Sequence, residues 1–134
     1  MQSIVVSAKI EEMNKVTEFV SEILEEHHCS MKARVQIEVG IDEIMSNIIR
    51  YAYEGKTGDI LVECDIRDRV AYICFIDSGR PYNPLTKEDP DVTLSVNERE
   101  IGGLGIFMVK KSMDDLRYEY RGQHNQLTMM KRII

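Results

Sequence analysis

Apolar and polar positions change period along this chain, and the changes outline its elements. Residues 3 to 7, "SIVVS", read as a short strand, after which Ile10, Met13, Val16, Val20, Ile23 and His27 recur at three- and four-residue spacing and predict one face of a helix. Ser30 is the expected N-cap of a second helix reaching about Tyr53 and ending before Gly55. Its stripe is Ile37, Ile41, Ile44 and Ile48, widened by Met45, Ile49 and Ala52.

The period then drops to two. "GDILVECDI" and "RVAYICFID" read as strands of a hairpin turning at Asp68-Arg69, so Cys64 opposes Ile73. Ile60, Val62, Cys64 and Ile66 then share a face with Ala71, Ile73, Phe75 and Asp77, which places a carboxylate at the end of a core-facing row. "LGIFMVKKSMDD" predicts a third helix, and "LRYEYR" and "QLTMMKRII" a closing strand pair around Gly122. The expected architecture is a single α+β domain over residues 1–134, a two-layer sandwich. In it, a mostly antiparallel sheet of about five strands carries three helices on one face. The opposite face also holds apolar residues, Val70, Tyr72, Cys74 and Ile76; a partner covers it, or it is ordinary exposed apolar surface.

After Gly79 the periodicity lapses, and the lapse ends on Gly102-Gly103-Leu104-Gly105. Unpatterned loops this long are usually functional lids or disordered segments.

Composition narrows the classes. A net charge of -6 argues against direct nucleic-acid binding, which needs a dense basic surface. No apolar run approaches the roughly 18 residues a membrane span needs, and the N-terminus lacks an export pattern, so a cytoplasmic protein is expected. Cys29, Cys64 and Cys74 form no C-x-x-C pair and read as buried thiols. His27 and His28 read as a helix-end cap rather than metal ligands, and the methionines as core filler.

Three constellations have chemical potential. Glu43 and Asn47, four apart on one helix face with Arg50 a turn on, offer a carboxylate and an amide oxygen suited to magnesium and to a hydroxyl proton; a solvated helix face is the alternative. Asp77, leaving its strand before Gly79, can accept from an exocyclic amine such as adenine's, or bond its own turn. Gly103 and Gly105 open a helix whose first N–H groups suit phosphate oxygens, although a glycine-rich helix start without a ligand looks the same. The pattern is neither a Walker A motif nor a dinucleotide G-x-G-x-x-G.

Taken in order, Glu43-x-x-x-Asn47, Asp77-x-Gly79-x-Pro81, Gly103-x-Gly105 and Thr128 resemble the nucleotide-binding boxes of the gyrase, histidine kinase and MutL ATPase superfamily. Within it, "DEIMSNIIRYAY", "DSGRPYNP" and "REIGGLGIFMVKKSMDDLRYEY" are most similar to the stand-alone anti-sigma factor serine kinases, over nearly the whole chain. The resemblance implies a histidine-kinase-like ATPase fold, with ATP and Mg2+ as cofactors. It makes Glu43 the general base for a substrate serine and Asn47 the magnesium ligand. Asp77 would hold the adenine amino group, with Gly79 allowing close approach and Thr128 supporting Asp77 directly or through water. Gly103, Leu104, Gly105 and Ile106 would present N–H groups to the phosphates, residues 83–101 would form the ATP lid, and Arg99 would contact a phosphate. Arg50 stands where many relatives carry histidine. The implied partners are a sigma factor and an anti-sigma-factor antagonist, with the apolar outer sheet face compatible with a homodimer. The alternative is an ATP-gated partner-binding regulator without phosphotransfer.

Overall fold

The computed structural model describes residues 1–86 and 103–134. Among them, five strands form one antiparallel sheet, and three α-helices pack on one of its faces. The elements run β1 (Gln2–Ser7), α1 (Met13–Glu26), α2 (Met31–Asn47), β2 (Asp59–Arg67), β3 (Val70–Asp77), α3 (Gly103–Ser112), β4 (Asp115–Arg121) and β5 (His124–Arg132). Sheet order is β1-β2-β3-β5-β4, so β5 lies between β3 and β4.

The hairpin register is the expected one: Cys64 pairs with Ile73 and Ile60 with Asp77. Its cause is local. Asp68 and Arg69 both adopt left-handed backbone, φ 51° and 65°, as the two-residue turn matching strand twist requires. Gly122 and Gln123 do the same between β4 and β5, at φ 59° and 66°.

The core lies between this sheet face and the helices. Ile60, Val62, Cys64, Ala71, Ile73 and Phe75 meet Val16, Val20 and Leu24 of α1 and Ile37, Ile41 and Ile44 of α2 in one buried cluster. Ser30 caps α2, its Oγ accepting from the Ala33 N–H at 3.2 Å. His27 closes α1, with Nδ1 2.9 Å from the Ile23 carbonyl oxygen.

Two boundaries differ from the periodicity. Ile10 is 66 % exposed, because residues Ile10–Glu12 form a separate 3-10 turn that rotates it off the α1 stripe. Helix α2 does not stay α-helical to Tyr53; Ile48–Ala52 is a π-helical turn, with Tyr53 N–H donating to Ile48 O at 3.0 Å. Such single π turns gather at functional sites.

The outer sheet face is half-buried at Val70, Tyr72, Cys74 and Ile76, and the Arg67 guanidinium lies 4.0 Å from the centre of the Tyr72 ring. No helix among the described residues is long and apolar enough to cross a membrane.

Candidate functional site

The site is a cleft between α2 and the inner sheet face. Ile44, Ile48 and Ala52 form one wall and Phe75 and Leu127 the other, with Asp77 and Asn125 polar at one end and Tyr82 and Tyr118 beside them. An apolar slot with a few convergent polar groups is the usual form of a small-ligand site.

Asp77 ends β3 in the core phase and is 3 % exposed. Its Oδ1 accepts from the Gly79 N–H at 2.9 Å and from Asn125 Nδ2 at 2.8 Å. Burial pushes its carboxyl above the ordinary range, and the Asn125 and Gly79 donors only partly oppose that. The carboxylate thus serves its own turn, as local chemistry suggests, yet also borders the apolar slot.

The turn after Asp77 is tied to the end of α2. Arg80 N–H donates to Ala52 O at 2.9 Å, and a Cβ on Gly79 would fall 2.6 Å from the carbonyl carbon and oxygen of Ala52, so only glycine fits there. The Tyr53 hydroxyl accepts from the Ser78 N–H at 2.9 Å and donates to Asp59 O at 2.6 Å, fixing the same turn from below.

At the other end, Asn47 is 4 % exposed and its Nδ2 donates to Glu43 O at 2.7 Å and to Glu43 Oε1 at 2.9 Å. Those two acceptors fix the amide orientation and leave Oδ1 on the cleft side, 3.5 Å from the Tyr82 hydroxyl. One neutral oxygen beside a carboxylate fits magnesium, which keeps several waters and takes its remaining ligands from substrate phosphates. The described residues hold no cluster of three His, Cys, Asp or Glu side chains for a metal.

Helix α3 begins at Gly103, so Gly103, Leu104, Gly105 and Ile106 form its first turn, where N–H groups lack intrahelical acceptors. That turn faces Glu43: a Cβ on Gly105 would stand 2.2 Å from Glu43 Cδ and 2.3 Å from each carboxylate oxygen. Three sequence-distant pieces, Glu43, Asn47 and the start of α3, therefore converge. Ile106 is 1 % exposed and anchors α3 in the core.

Thr128 does not join them. It pairs with Cys74 on the outer face of the sheet, three residues along the strands from the inward-facing pair of Asp77 with Asn125. The direct side-chain contact to Asp77 from β5 is made by Asn125. Asn125 was missed although its signal is in the sequence, since it alternates with the buried Leu127 and Met129 and is therefore a polar residue in core phase. Tyr82 and Tyr53 were also missed, because only tertiary contacts bring them here. Arg50 is exposed. Of the expected lid, Pro84–Thr86 forms a 3-10 turn, while Arg99 and residues 87–102 lie outside the described residues.

Residues 6–131 match the family described as histidine kinase-like ATPase domain. Among curated proteins, the chain is 27 % identical over 96 residues to serine-protein kinase RsbW of Listeria innocua, the match covering 68 % of this chain and 61 % of that protein. It is 29 % identical over 98 residues to the anti-sigma F factor of Caldanaerobacter subterraneus, covering 73 % and 68 %. With the serine/threonine-protein kinase BtrW of Bordetella bronchiseptica it shares 26 % over 101 residues, covering 75 % and 71 %. The chain thus spans about three fifths of the Listeria relatives' length. The fold matches the crystal structure of the RsbU and RsbW domains of Rv1364c from Mycobacterium tuberculosis, with a TM-score of 0.67 and 17 % identity, over 99 % of this chain and 33 % of that one. The match over residues 6–131 takes in nearly the whole chain, and the chain belongs to the histidine kinase-like ATPase domain family, among relatives named as anti-sigma factors and serine-protein kinases.

Proposed function

We propose that this chain binds ATP with magnesium, phosphorylates a serine of an anti-sigma-factor antagonist and binds a sigma factor in partner switching. The observation that carries the reading is the meeting of Glu43, Asn47 and the first turn of α3 at one end of a cleft whose other end is Asp77.

In this reading the adenine ring lies between the α2 and sheet walls, and its amino group donates to Asp77. The N–H groups of Gly103, Leu104, Gly105 and Ile106 receive phosphate oxygens, aided by the α3 dipole. Asn47 Oδ1 is the protein ligand for magnesium, which when bound supplies positive charge against the phosphates. The Glu43 carboxylate takes the proton of the serine hydroxyl as the serine oxygen bonds to the γ-phosphorus. The bond from that phosphorus to the β,γ-bridging oxygen then breaks, and ADP leaves. Residues 83–101, Arg99 included, act as the lid and its phosphate contact. A homodimer through the apolar outer sheet face and a cytoplasmic location complete the proposal.

Label transfer from ATP to a cognate antagonist protein tests it. The parent should label one serine and Glu43→Ala should not. ATP binding without any labelled serine would instead favour the ATP-gated regulator.

A further inference from the structure

Exposed large apolar side chains gather on one side of the helical layer. Met31, Val35 and Val39 of α2 and Met108 of α3 are each half or more exposed, whereas α1 shows none among the described residues. Met31, Val35 and Val39 are four residues apart and so follow one another along one face of α2, and Glu43 holds the next place in that spacing. Met108 is about one turn along α3 from Gly105, where that helix meets the Glu43 carboxylate. An apolar stripe on one helix thus runs up to Glu43, and Met108 flanks it from the other. Beside the stripe, Asp42 is exposed and pairs with no cation among the described residues. Partial desolvation, and then Glu38, push its carboxyl above the ordinary range, and no positive group offsets them.

We infer that the face formed by Val35, Val39 and Asp42 of α2 with Met108 of α3 is the docking surface for the serine-bearing acceptor protein, which presents an apolar patch and a lysine or arginine opposite Asp42. The inference rests on the kinase reading and deepens it. What covers the face follows from the chemistry at its end, because a protein that brings a serine hydroxyl to Glu43 must also cover the surface around Glu43. A specific interface takes about 800 Å² from each partner, a patch roughly 30 Å across. Along the helix axis Val39 lies about 6 Å from Glu43 and Val35 about 12 Å, well inside such a patch, while Met31 at about 18 Å falls at its rim. Contiguous apolar surface of this kind marks interaction sites, whereas scattered apolar residues do not. Covering Asp42 calls for a cation on the partner, since an unpaired carboxylate is costly to take out of water.

The test is steady-state label transfer from ATP to the antagonist protein that the parent labels, with ATP affinity from calorimetry and folding from circular dichroism. A protein carrying both Val39→Ser and Met108→Ser should raise KM for the acceptor by about 10-fold or more, as loss of central anchors does, and keep kcat and ATP affinity within about 3-fold of the parent. Asp42→Lys should raise KM about 10-fold as well, through like-charge repulsion with the partner. Met31→Ser at the rim, and Ile10→Ser on the 3-10 turn before α1, should stay within about 2-fold. All these positions are exposed, so the variants should fold. Parental KM in the double variant overturns the inference and leaves the kinase reading intact. Parental KM in Asp42→Lys overturns the basic partner. A fall in kcat at unchanged KM overturns the docking role, since the residues would then act on Glu43 rather than on the partner. A changed oligomeric state at unchanged KM, read by light scattering, would make the face an interface between copies and overturn it too. A parent that labels no acceptor removes the kinase reading itself, and this inference with it.

Discussion

Gly105 stands against the Glu43 carboxylate so closely that a methyl group added to it would lie 2.2 Å from Glu43 Cδ. The atoms in the way are the far end of a flexible side chain, so Gly105→Ala should fold, with stability within about 1 kcal/mol of the parent and helix propensity in its favour. The carboxylate has to swing aside, and misplacing a catalytic group by about an ångström costs on the order of 100-fold in rate. Serine labelling should therefore drop much further than ATP affinity. Parental labelling by Gly105→Ala would remove Glu43, as placed here, from the role of base.

Gly79 presents the opposite case, since its imagined Cβ meets the backbone of Ala52 at 2.6 Å and backbone cannot step aside. Gly79→Ala should lower unfolding free energy by about 1–3 kcal/mol, the usual cost of overpacking. Urea denaturation measures it, and an unchanged midpoint would show that the turn does not pack on α2 in this way.

Asp77 links pH to stability with a definite sign. Burial raises its folded-state pKa above the unfolded value. The native protein therefore holds this proton more tightly, and its contribution to stability is full below the ordinary carboxylate value and declines as pH rises through the raised one. Asp77→Asn escapes that decline, so it should melt a few degrees higher than the parent at pH 7, a gain of about 1 kcal/mol, with the advantage shrinking toward pH 4. Nucleotide binding should weaken in the same variant. A variant that melts lower than the parent at pH 7 would show that the ionised form is the better-held one.

Asn47 Oδ1 is the oxygen proposed for magnesium, its Nδ2 being engaged by Glu43. Chelating magnesium should weaken ATP binding by roughly tenfold, about 1.4 kcal/mol. Asn47→Ala should show that weaker binding with magnesium present and little further response to chelator. A chelator effect of full size in Asn47→Ala would place the ion on other ligands.

The sheet was legible because two signals coincide in it. The period of two across Ile60 to Asp77 and the two-residue turn at Asp68-Arg69 jointly determine the pairing of Cys64 with Ile73. Helix ends were less legible, as hydrophobic spacing does not register a change in hydrogen-bond step. The 3-10 turn at Ile10 and the π turn at Ile48–Ala52 both escaped it. In the site, the pairs close in sequence, Glu43 with Asn47 and Asp77 with Gly79, could be placed from spacing alone. Thr128 enters only through the resemblance, whereas strand alternation puts it on the outer face and the β3–β5 register sets Asn125 opposite Asp77. Tyr82 bonds to Asn47 and Asn125 across long sequence separations, and no local pattern encodes that.

The π turn that closes α2 gives that helix a further property. One continuous rod carries Glu43 and Asn47 partway along and, through Ala52, clasps the Gly79 turn beside Asp77 at its end. The interval between the two halves of the site is then gauged by a single rigid body, as the jaws of a caliper are set by its beam. Inserting or deleting one residue between Asn47 and Ala52 would reset that gauge, even with every contacting side chain kept.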